Sequence, residues 1–242
     1  MESSAYIALS RQGALRREMD VIANNLANMN TTAFKGEKMM FVEHLVKSKG
    51  GENFIPAKLS FTRDVAQYRD MGAGPIKTTG NPLDVAIQRD GYFVVDTPGG
   101  EQFTRNGRLT LDNEGQMVTE HGYPVMSTAG TPFFLSPEDK NIHIAGDGTV
   151  STSNGELGKI RVVEFEDKQK LQKQAAGLWT SSQTPQDMAK PQVVQGALES
   201  SNVNAITELT KMIDVHRAYD SVKSFIEKED QRQKKMIEQL AR

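Results

Sequence analysis

The stretch that decides the fold is DVIANNLANMNTTAFKG, residues Asp20–Gly36. It places Asn24, Asn25 and Asn28 beside apolar residues that recur at helical spacing. Asparagine is a middling-to-poor helix former and prefers caps and turns. A helix that carries several asparagines must therefore gain stability from packing against its neighbours. We predict that the helix ending in this stretch has several packed surfaces.

The first predicted helix runs from roughly Ser3 to Asn30, and Thr31 and Thr32 end it. Its apolar residues alternate spacings of four and three, which is the pattern of a coiled-coil seam. Three asparagines lie on one flank of this seam, where they can fix register as a buried asparagine does in coiled coils. We predict an assembly interface on this helix that consists of Leu15, Met19, Ile22, Asn24, Asn25, Leu26 and Asn28.

A second predicted helix closes the chain, from roughly Val203 to Leu240. Ser200, Ser201 and Asn202 offer N-caps for it. Its apolar residues show the same alternating spacing, and each seam is too narrow to bury a globular core. The alternative explanation of both seams is a pair of ordinary helices that pack into a globular core. We predict instead a coiled-coil domain built from both chain ends, whose interface on this helix is Met212, Val215, Tyr219, Val222 and Ile226.

Between the helices, short β-branched or aromatic runs alternate with turn signals such as Asp90-Gly91 and Asn106-Gly107. Regular spacing of this kind predicts an all-β domain of the irregular sandwich or barrel type. The predicted strands are Leu83–Gln88, Tyr92–Asp96, Leu109–Leu111, Met117–Thr119, Ile142–Ile144 and Ile160–Glu166. The predicted fold is mixed α and β. It has terminal helices over 1–34 and 198–242, an extended arm or linker over 35–74 and a β domain over 75–197.

Composition excludes several classes of function. The chain of 242 residues has a net charge of −2, which gives no global attraction to nucleic acid or anionic lipid. It has no cysteine, so disulfides, thiolate metal sites and cysteine nucleophiles are excluded. The N-terminus lacks the features of a secretory signal, and no run reaches the roughly 18 apolar residues of a membrane span. We expect no direct membrane insertion and, outside the cytosol, export without a cleaved signal.

The chain offers little catalytic chemistry. Gly72–Pro75 begins like a phosphate loop but lacks its Gly-Lys-Ser/Thr ending, so we predict a turn. Asp112–Gly115 fails the calcium-loop spacing and predicts a hairpin turn. The basic run Arg232–Lys235 is interrupted by glutamine and predicts a solvated helix face. The four histidines are too far apart in sequence for a zinc cluster, and they are His44, His121, His143 and His216. We expect no enzyme activity, no cofactor, no metal and no nucleic-acid partner.

Motifs spread along the chain, in order, point to one family. They are Ala23–Lys35, Gly80–Ile87 with Asp90–Phe93, Phe103–Gly107 with Leu109–Asp112, Gly115 with Gly122–Val125, and Gly196–Asn204 with Met212-Ile213 and Arg217–Tyr219. Together these motifs resemble those of bacterial flagellar rod and hook proteins. One departure is Ala33, which stands where this motif commonly has glycine. The alanine would stiffen the exit from the helix, because glycine loses more backbone entropy.

The resemblance implies a structural subunit of the flagellar basal-body rod. Both terminal helices would form the inner wall of a hollow tube, and the β domain its outer layer. The implied partners are other flagellar rod proteins, copies of this chain in a helical tube, and the flagellar type III export apparatus, which reads an uncleaved N-terminal region. The tube would transmit motor torque across the periplasmic space for motility. The chain length and the opening stretch Tyr6–Gln12 look most like a proximal rod protein.

Other functions stay open at this point. Within the family, a distal-rod or hook-family axial subunit is the alternative. Outside it, the β domain could belong to a secreted enzyme, which would need a cleft with perturbed carboxylates. A soluble coiled-coil adaptor with a β head would instead form a small oligomer of defined size without export.

Overall fold

The computed structural model describes residues 2–47, 58–136, 139 and 141–240. Its internal contacts divide the chain into two compact units. The terminal unit comprises Met1–Ala27, Glu37–Asp70 and Asn204–Arg242, and the β unit comprises Asn28–Gly36 and Met71–Val203. The predicted domain bounds stay a prediction for the assembled protein. Within the single chain, part of the predicted arm groups with the helices.

Two helices dominate the terminal unit: α1, Glu2–Ala27, and α2, Ala205–Leu240. They pack against each other in antiparallel directions. The end of α1 meets the start of α2, where Asn25 hydrogen-bonds Glu208, and the start of α1 meets α2 near Val222. The predicted terminal helices and β-rich middle are therefore confirmed, although each helix is a few residues shorter than predicted.

The N-cap of α2 differs from the prediction. Asn204 caps the helix, because its Oδ1 accepts hydrogen bonds from the backbone N–H groups of Ile206, at 3.1 Å, and Thr207, at 3.2 Å. The predicted caps Ser200, Ser201 and Asn202 were wrong. The hydroxyl of Ser201 bonds the N–H of Val203, and the Asn202 side chain bonds within the β unit. Sequence alone cannot decide among four neighbouring residues that all have capping side chains.

The terminal unit also contains a long antiparallel strand pair, β1, Glu37–Lys47, and β2, Lys58–Arg69. The pair runs from Glu37 opposite Arg69 to Lys47 opposite Lys58, and both strands contact α1. The predicted arm thus contains regular secondary structure. Residues 48–57 of that arm lie outside the described residues.

The β unit is built from short strands, and every pair that the structure describes in it is antiparallel. The strands are β3 Ile76–Thr78, β4 Val85–Ile87, β5 Tyr92–Thr97, β6 Gly100–Thr104, β7 Leu109–Leu111, β8 Met117–Thr119, β9 His143–Ile144, β10 Thr149–Thr152, β11 Gly155–Lys159, β12 Val162–Glu164, β13 Gln172–Lys173, β14 Leu178–Thr180, β15 Gln186–Asp187, β16 Val193–Gln195 and β17 Ala197–Glu199.

The largest sheet of the β unit has six strands in the order β13-β14-β6-β5-β12-β15. Apolar clusters cover both of its faces. On β5, Phe93 and Val95 belong to one cluster, whereas Tyr92 and Val94 belong to the other. This period-two alternation buries both faces of a central strand and explains its unbroken apolar sequence.

The turn that resembled a calcium loop joins β7 to β8, as the hairpin prediction required. Asp112 Oδ1 accepts hydrogen bonds from the N–H groups of Glu114, at 2.9 Å, and Gln116, at 2.8 Å. A carboxylate that bonds backbone two residues ahead is a common turn device. The Asp112 side chain is thus used by the hairpin itself.

Ala33 adopts a backbone conformation that favours glycine, with φ at 57°. This conformation costs an alanine about 1–2 kcal/mol, so the backbone at Ala33 is strained rather than simply stiffened as predicted. We predict that Ala33→Gly raises the free energy of unfolding of the β unit by about 0.5–1 kcal/mol, the relief exceeding the entropy cost of glycine. Chemical denaturation measures this. Ala23→Gly, in α1, should lower the free energy of unfolding of the terminal unit by about 0.5–1 kcal/mol. A loss of β-unit stability in Ala33→Gly would contradict the prediction.

Candidate functional site

A buried ion network lies where four separate segments of the β unit meet. Glu199, on β17, is 1% exposed and accepts hydrogen bonds from the ammonium of Lys35, at 2.6 Å, and from Nε of Arg105, at 2.6 Å. The N–H of Gly74 bonds the same carboxylate at 2.9 Å. Two cations and a backbone donor therefore satisfy one carboxylate that water does not reach.

Arg105 holds its place through backbone carbonyls. Its guanidinium donates to the carbonyl oxygens of Gly91, at 2.9 Å, Arg89, at 3.0 Å, and Ile87, at 3.3 Å. The planar guanidinium can satisfy several fixed acceptors at once, which a lysine ammonium would do less well. The network thereby reaches the turn that joins β4 to β5.

The segments around the network approach one another closely. Lys35 also donates to the carbonyl of Gly72 at 2.7 Å, and the N–H of Ala33 bonds the backbone carbonyl of Glu199 at 2.8 Å. A side chain at position 74 would place its Cβ 2.0 Å from the carbonyl oxygen of Ser200, so only glycine fits there. Gly72–Pro75, for which a turn was predicted, is irregular backbone in the structure and brings its backbone to the carboxylate.

Tyr92 sits beside the network with its ring 5.8 Å from the guanidinium carbon of Arg105. Burial raises the pKa of its phenol to about 12, against a smaller lowering by Arg105. The folded state thus holds the neutral phenol, whereas the unfolded chain ionises near pH 10. The contribution of Tyr92 to stability is complete below pH 10 and is lost as pH rises from about 10 to 12.

We therefore predict that the free energy of unfolding of the wild-type protein falls more steeply above pH 10 than that of Tyr92→Phe. The difference should reach about 2 kcal/mol at pH 11.5. Denaturant titrations of both proteins at pH 8, 10 and 11.5 measure it. Other groups titrate equally in both proteins and cancel in the comparison. Parallel curves for the two proteins would contradict this pKa assignment.

Asn25 explains part of the asparagine-rich stretch. Its amide Nδ2 donates to the carbonyl of Glu37 at 2.7 Å, and its Oδ1 accepts from the N–H of Glu37 at 2.9 Å. The same Nδ2 reaches the carboxylate of Glu208 at 3.1 Å. This buried amide ties the end of α1 to the start of β1 and to α2. Within this chain these bonds are internal, and the role of Asn25 in register between subunits stays a prediction.

The other predicted interface residues lie on or near the contact between α1 and α2. Ile22 and Val215 are buried, whereas Asn24 is exposed. The half-buried members are Leu15, Met19, Leu26, Asn28, Met212, Tyr219, Val222 and Ile226. Asn28 also accepts a hydrogen bond from the hydroxyl of Thr31, in the turn after α1. Their role in assembly stays a prediction.

Sequence reasoning missed a second set of apolar residues on the same helices. They are exposed in the single chain and comprise Tyr6, Leu9, Ile206, Leu209, Ile213 and Phe225. Three of them follow the helical spacing on α2 about 130° around from the predicted seam, at 100° per residue. The same periodicity could have identified them, but spacing does not say which of two apolar faces a helix buries within its own chain.

Elsewhere, the described residues contain no group of three or more histidine or acidic side chains that could hold a metal ion. His216 pairs with Asp220 at 3.1 Å on the exposed surface of α2. None of the described helices is both long enough and apolar enough to cross a membrane. The distinctive geometry of this protein therefore lies in its buried network and its helix surfaces.

Comparisons with known proteins identify the class that this architecture defines. Three family models match in chain order: flagella basal body rod protein over residues 6–35, flagellar hook protein FlgE/F/G D1 domain over 86–152, and flagellar basal body rod FlgEFG protein C-terminal over 194–240. The chain belongs to this family of flagellar basal-body rod proteins, which are structural proteins.

Within the family the chain is of the FlgF type. It is 36% identical to flagellar basal-body rod protein FlgF of Caulobacter vibrioides, over 100% of this chain and 99% of that protein. It is 32% identical to FlgF of Rhizobium meliloti, over 99% and 98%. FlgG of Bacillus subtilis is also similar, at 31% over 96% of each chain. The main functional prediction, a structural subunit of the basal-body rod, is confirmed.

Proposed function

We propose that this subunit is exported through the flagellar type III apparatus with its N-terminus uncleaved. In the periplasmic space it assembles with copies of itself and with other rod proteins into a hollow shaft that transmits torque. The terminal helices form a coiled-coil wall in this shaft, and the β unit forms an irregular sandwich outside it. Transmitting torque requires stiffness and many contacts between subunits, and it needs no covalent chemistry.

The observation that carries this proposal is the contrast between the two units. The β unit buries most of its large apolar side chains in two clusters, with Phe134 the most exposed exception at 55%, and satisfies its central carboxylate internally. The helices of the terminal unit instead leave large apolar side chains exposed, including Tyr6, Leu9 and Ile206. Exposed apolar side chains at helical spacing favour contacts with further helices.

A small epitope tag in the exposed turn between β5 and β6, at Gly99, tests the proposal. Isolated basal bodies decorated with tag-specific antibody should show label at the rod, and the protein released from them should retain its N-terminal residues. A matched strain that expresses untagged protein controls for background label. Intact basal bodies without label would overturn the proposal. Label further along the axis would favour a distal-rod or hook-family subunit, and a free small oligomer would favour an adaptor.

A further inference from the structure

Three stretches of the β unit lie next to the places where the backbone passes between the two units, and we call them the junction segments. They are residues 28–36, 72–78 and 197–203, and the passages lie near residues 27, 36, 70 and 203. The core of the β unit lies elsewhere, because both of its apolar clusters take their buried members from residues 85–193. The junction segments are therefore held mainly by contacts of another kind.

Ion pairs and backbone hydrogen bonds hold the junction segments together. The carboxylate of Glu199 pairs with Lys35 and Arg105 and accepts a hydrogen bond from the N–H of Gly74. Three backbone bonds add to this network, and their donors and acceptors are Ala33 and Glu199 at 2.8 Å, Ser200 and Pro75 at 2.9 Å, and Asn202 and Phe34 at 3.2 Å. Polar contacts thus connect all three segments, and Arg105 connects them to the core.

The small sheet in these segments is weak by itself. β3 and β17 form a separate two-stranded sheet with three residue pairs, and all three residues of β3 are exposed. An isolated two-stranded sheet is marginally stable in water. The large apolar side chains that the segments bury are Phe34 and Leu198, and the left-handed backbone of Ala33 adds strain. Regions with few buried apolar contacts open at a lower free energy than the whole protein unfolds.

The ion network makes this opening cooperative. Lys35 lies in the first segment, Gly74 in the second and Glu199 in the third. If one segment moved away alone, a buried charge would remain without its counter-charge, which costs more than exposing every charge to water. The three segments therefore open together.

We propose that the junction segments open as one unit while the core over residues 85–193 stays folded, and that the ion network keeps them closed. Opening separates the places where the backbone enters and leaves the β unit, which the closed network holds together. This opening is a property of the single chain and does not depend on the proposed function.

Because the chain has no cysteine, one engineered thiol reports opening at a chosen position. Ser201→Cys places the thiol in a junction segment and Ser127→Cys in the core; the two serines are 5% and 4% exposed. The purified full-length variants are labelled with a thiol reagent at several low urea concentrations, and each rate is divided by that of the same variant when denatured. Position 201 should react roughly tenfold faster or more, with a weaker dependence on urea, because its opening exposes less surface.

Two further substitutions, each combined with both thiols, distinguish local from global opening. Ile144→Val, at a core residue that is 3% exposed, should speed labelling at position 127 by about twofold to tenfold. It should leave position 201 unchanged, because the core is equally folded before and after the junction opens. Lys35→Met should speed labelling at both positions by the same factor, because it destabilises the closed state relative to the open and the unfolded states.

Equal labelling rates at the two positions, or equal acceleration of both by Ile144→Val, would overturn the proposal. The hydroxyl of Ser201 accepts a hydrogen bond from the N–H of Val203, so its replacement perturbs the segment itself. Native-state hydrogen exchange of the wild-type protein provides a second measurement without any substitution. The junction amides should exchange through a lower free energy of opening than the core amides; the junction amides are Ala33, Ser200 and Asn202, and the core amides are Met117, Met126 and Ile160. The same free energy of opening for both groups would also contradict the proposal.

Discussion

The Glu199→Gln variant is expected to lose most of the stability of the β unit, with the free energy of unfolding lowered by about 3–5 kcal/mol. The substitution keeps the shape of the side chain but removes its charge. It leaves the ammonium of Lys35 and the guanidinium of Arg105 buried without a counter-charge, since their side chains are 1% and 4% exposed. Urea denaturation followed by the fluorescence of Trp179, a buried residue of the β unit, measures the loss.

The matched control is Asp90→Asn in the same unit. Asp90 pairs with Lys168 at 2.6 Å, the same length as the two buried pairs, but its side chain is 61% exposed. Exposed pairs contribute about 0–1 kcal/mol, so this variant should remain nearly as stable as the wild type. The comparison separates the effect of burial on stability from the effect of the ion-pair distance, which is the same in both pairs. Equal effects at Asp90 and Glu199 would show that burial of the network carries no special weight.

A graded series adds a second check on the same network. Lys35→Met removes one cation and leaves Arg105 to neutralise Glu199, so it should cost less than Glu199→Gln. Breaking a buried pair is costly mainly because of the charge that remains uncompensated. If Lys35→Met proved the more damaging change, the packing of the lysine stem would matter more than its charge.

Ile22→Asp is expected to abolish rod incorporation and swimming while the β unit remains folded. Ile22 is 4% exposed in the terminal unit, so a carboxylate there would be buried. Burying such a group costs several kcal/mol, so the helix packing around position 22 should be disrupted. Motility plates and immunoblots of isolated basal bodies measure the outcome, and the near-ultraviolet signal of Trp179 reports on the β unit.

Ala23→Asp is the matched control, because it places the same carboxylate at the next position of α1, on an exposed face. It should incorporate and swim close to the wild-type level. Normal swimming of Ile22→Asp would contradict the importance of the α1–α2 contact. Loss of the Trp179 signal in that variant would show that the two units do not fold independently.

Much of the fold could be predicted from local pattern. Helical spacing located both terminal helices, and turn residues such as Asp112 located the hairpins, because these signals act over a few residues. Strands with polar or glycine-rich sequence, such as β11 at Gly155–Lys159, gave no such signal. Their pairing depends on neighbours elsewhere in the chain, which periodicity cannot report.

The buried network was beyond prediction for a related reason. Lys35 and Glu199 are 164 positions apart, and Arg105 and Glu199 are 94 apart. Each of these three residues lies in a stretch that resembles a motif of the family. A single charged residue in such a stretch is more often solvated than buried. The interface prediction met a similar limit. α1 buries Ala14 and Val21 in addition to Ile22 of the predicted seam, and the spacing did not report this second covered face.

One consequence of the network concerns mechanical load. The backbone passes between the two units near residues 27, 36, 70 and 203. Hydrogen bonds connect the β-unit segments next to three of these passages. Asn202 Oδ1 accepts from the N–H of Gly36, and Asn202 Nδ2 donates to the carbonyl of Gly72. The carboxylate of Glu199 accepts from the ammonium of Lys35 and from the N–H of Gly74. A pulling force along the passage at 36, 70 or 203 is therefore distributed over all three before a strand separates from its sheet. In the torque-transmitting shaft proposed above, this sharing of load would keep single short strands from being pulled out of their sheets.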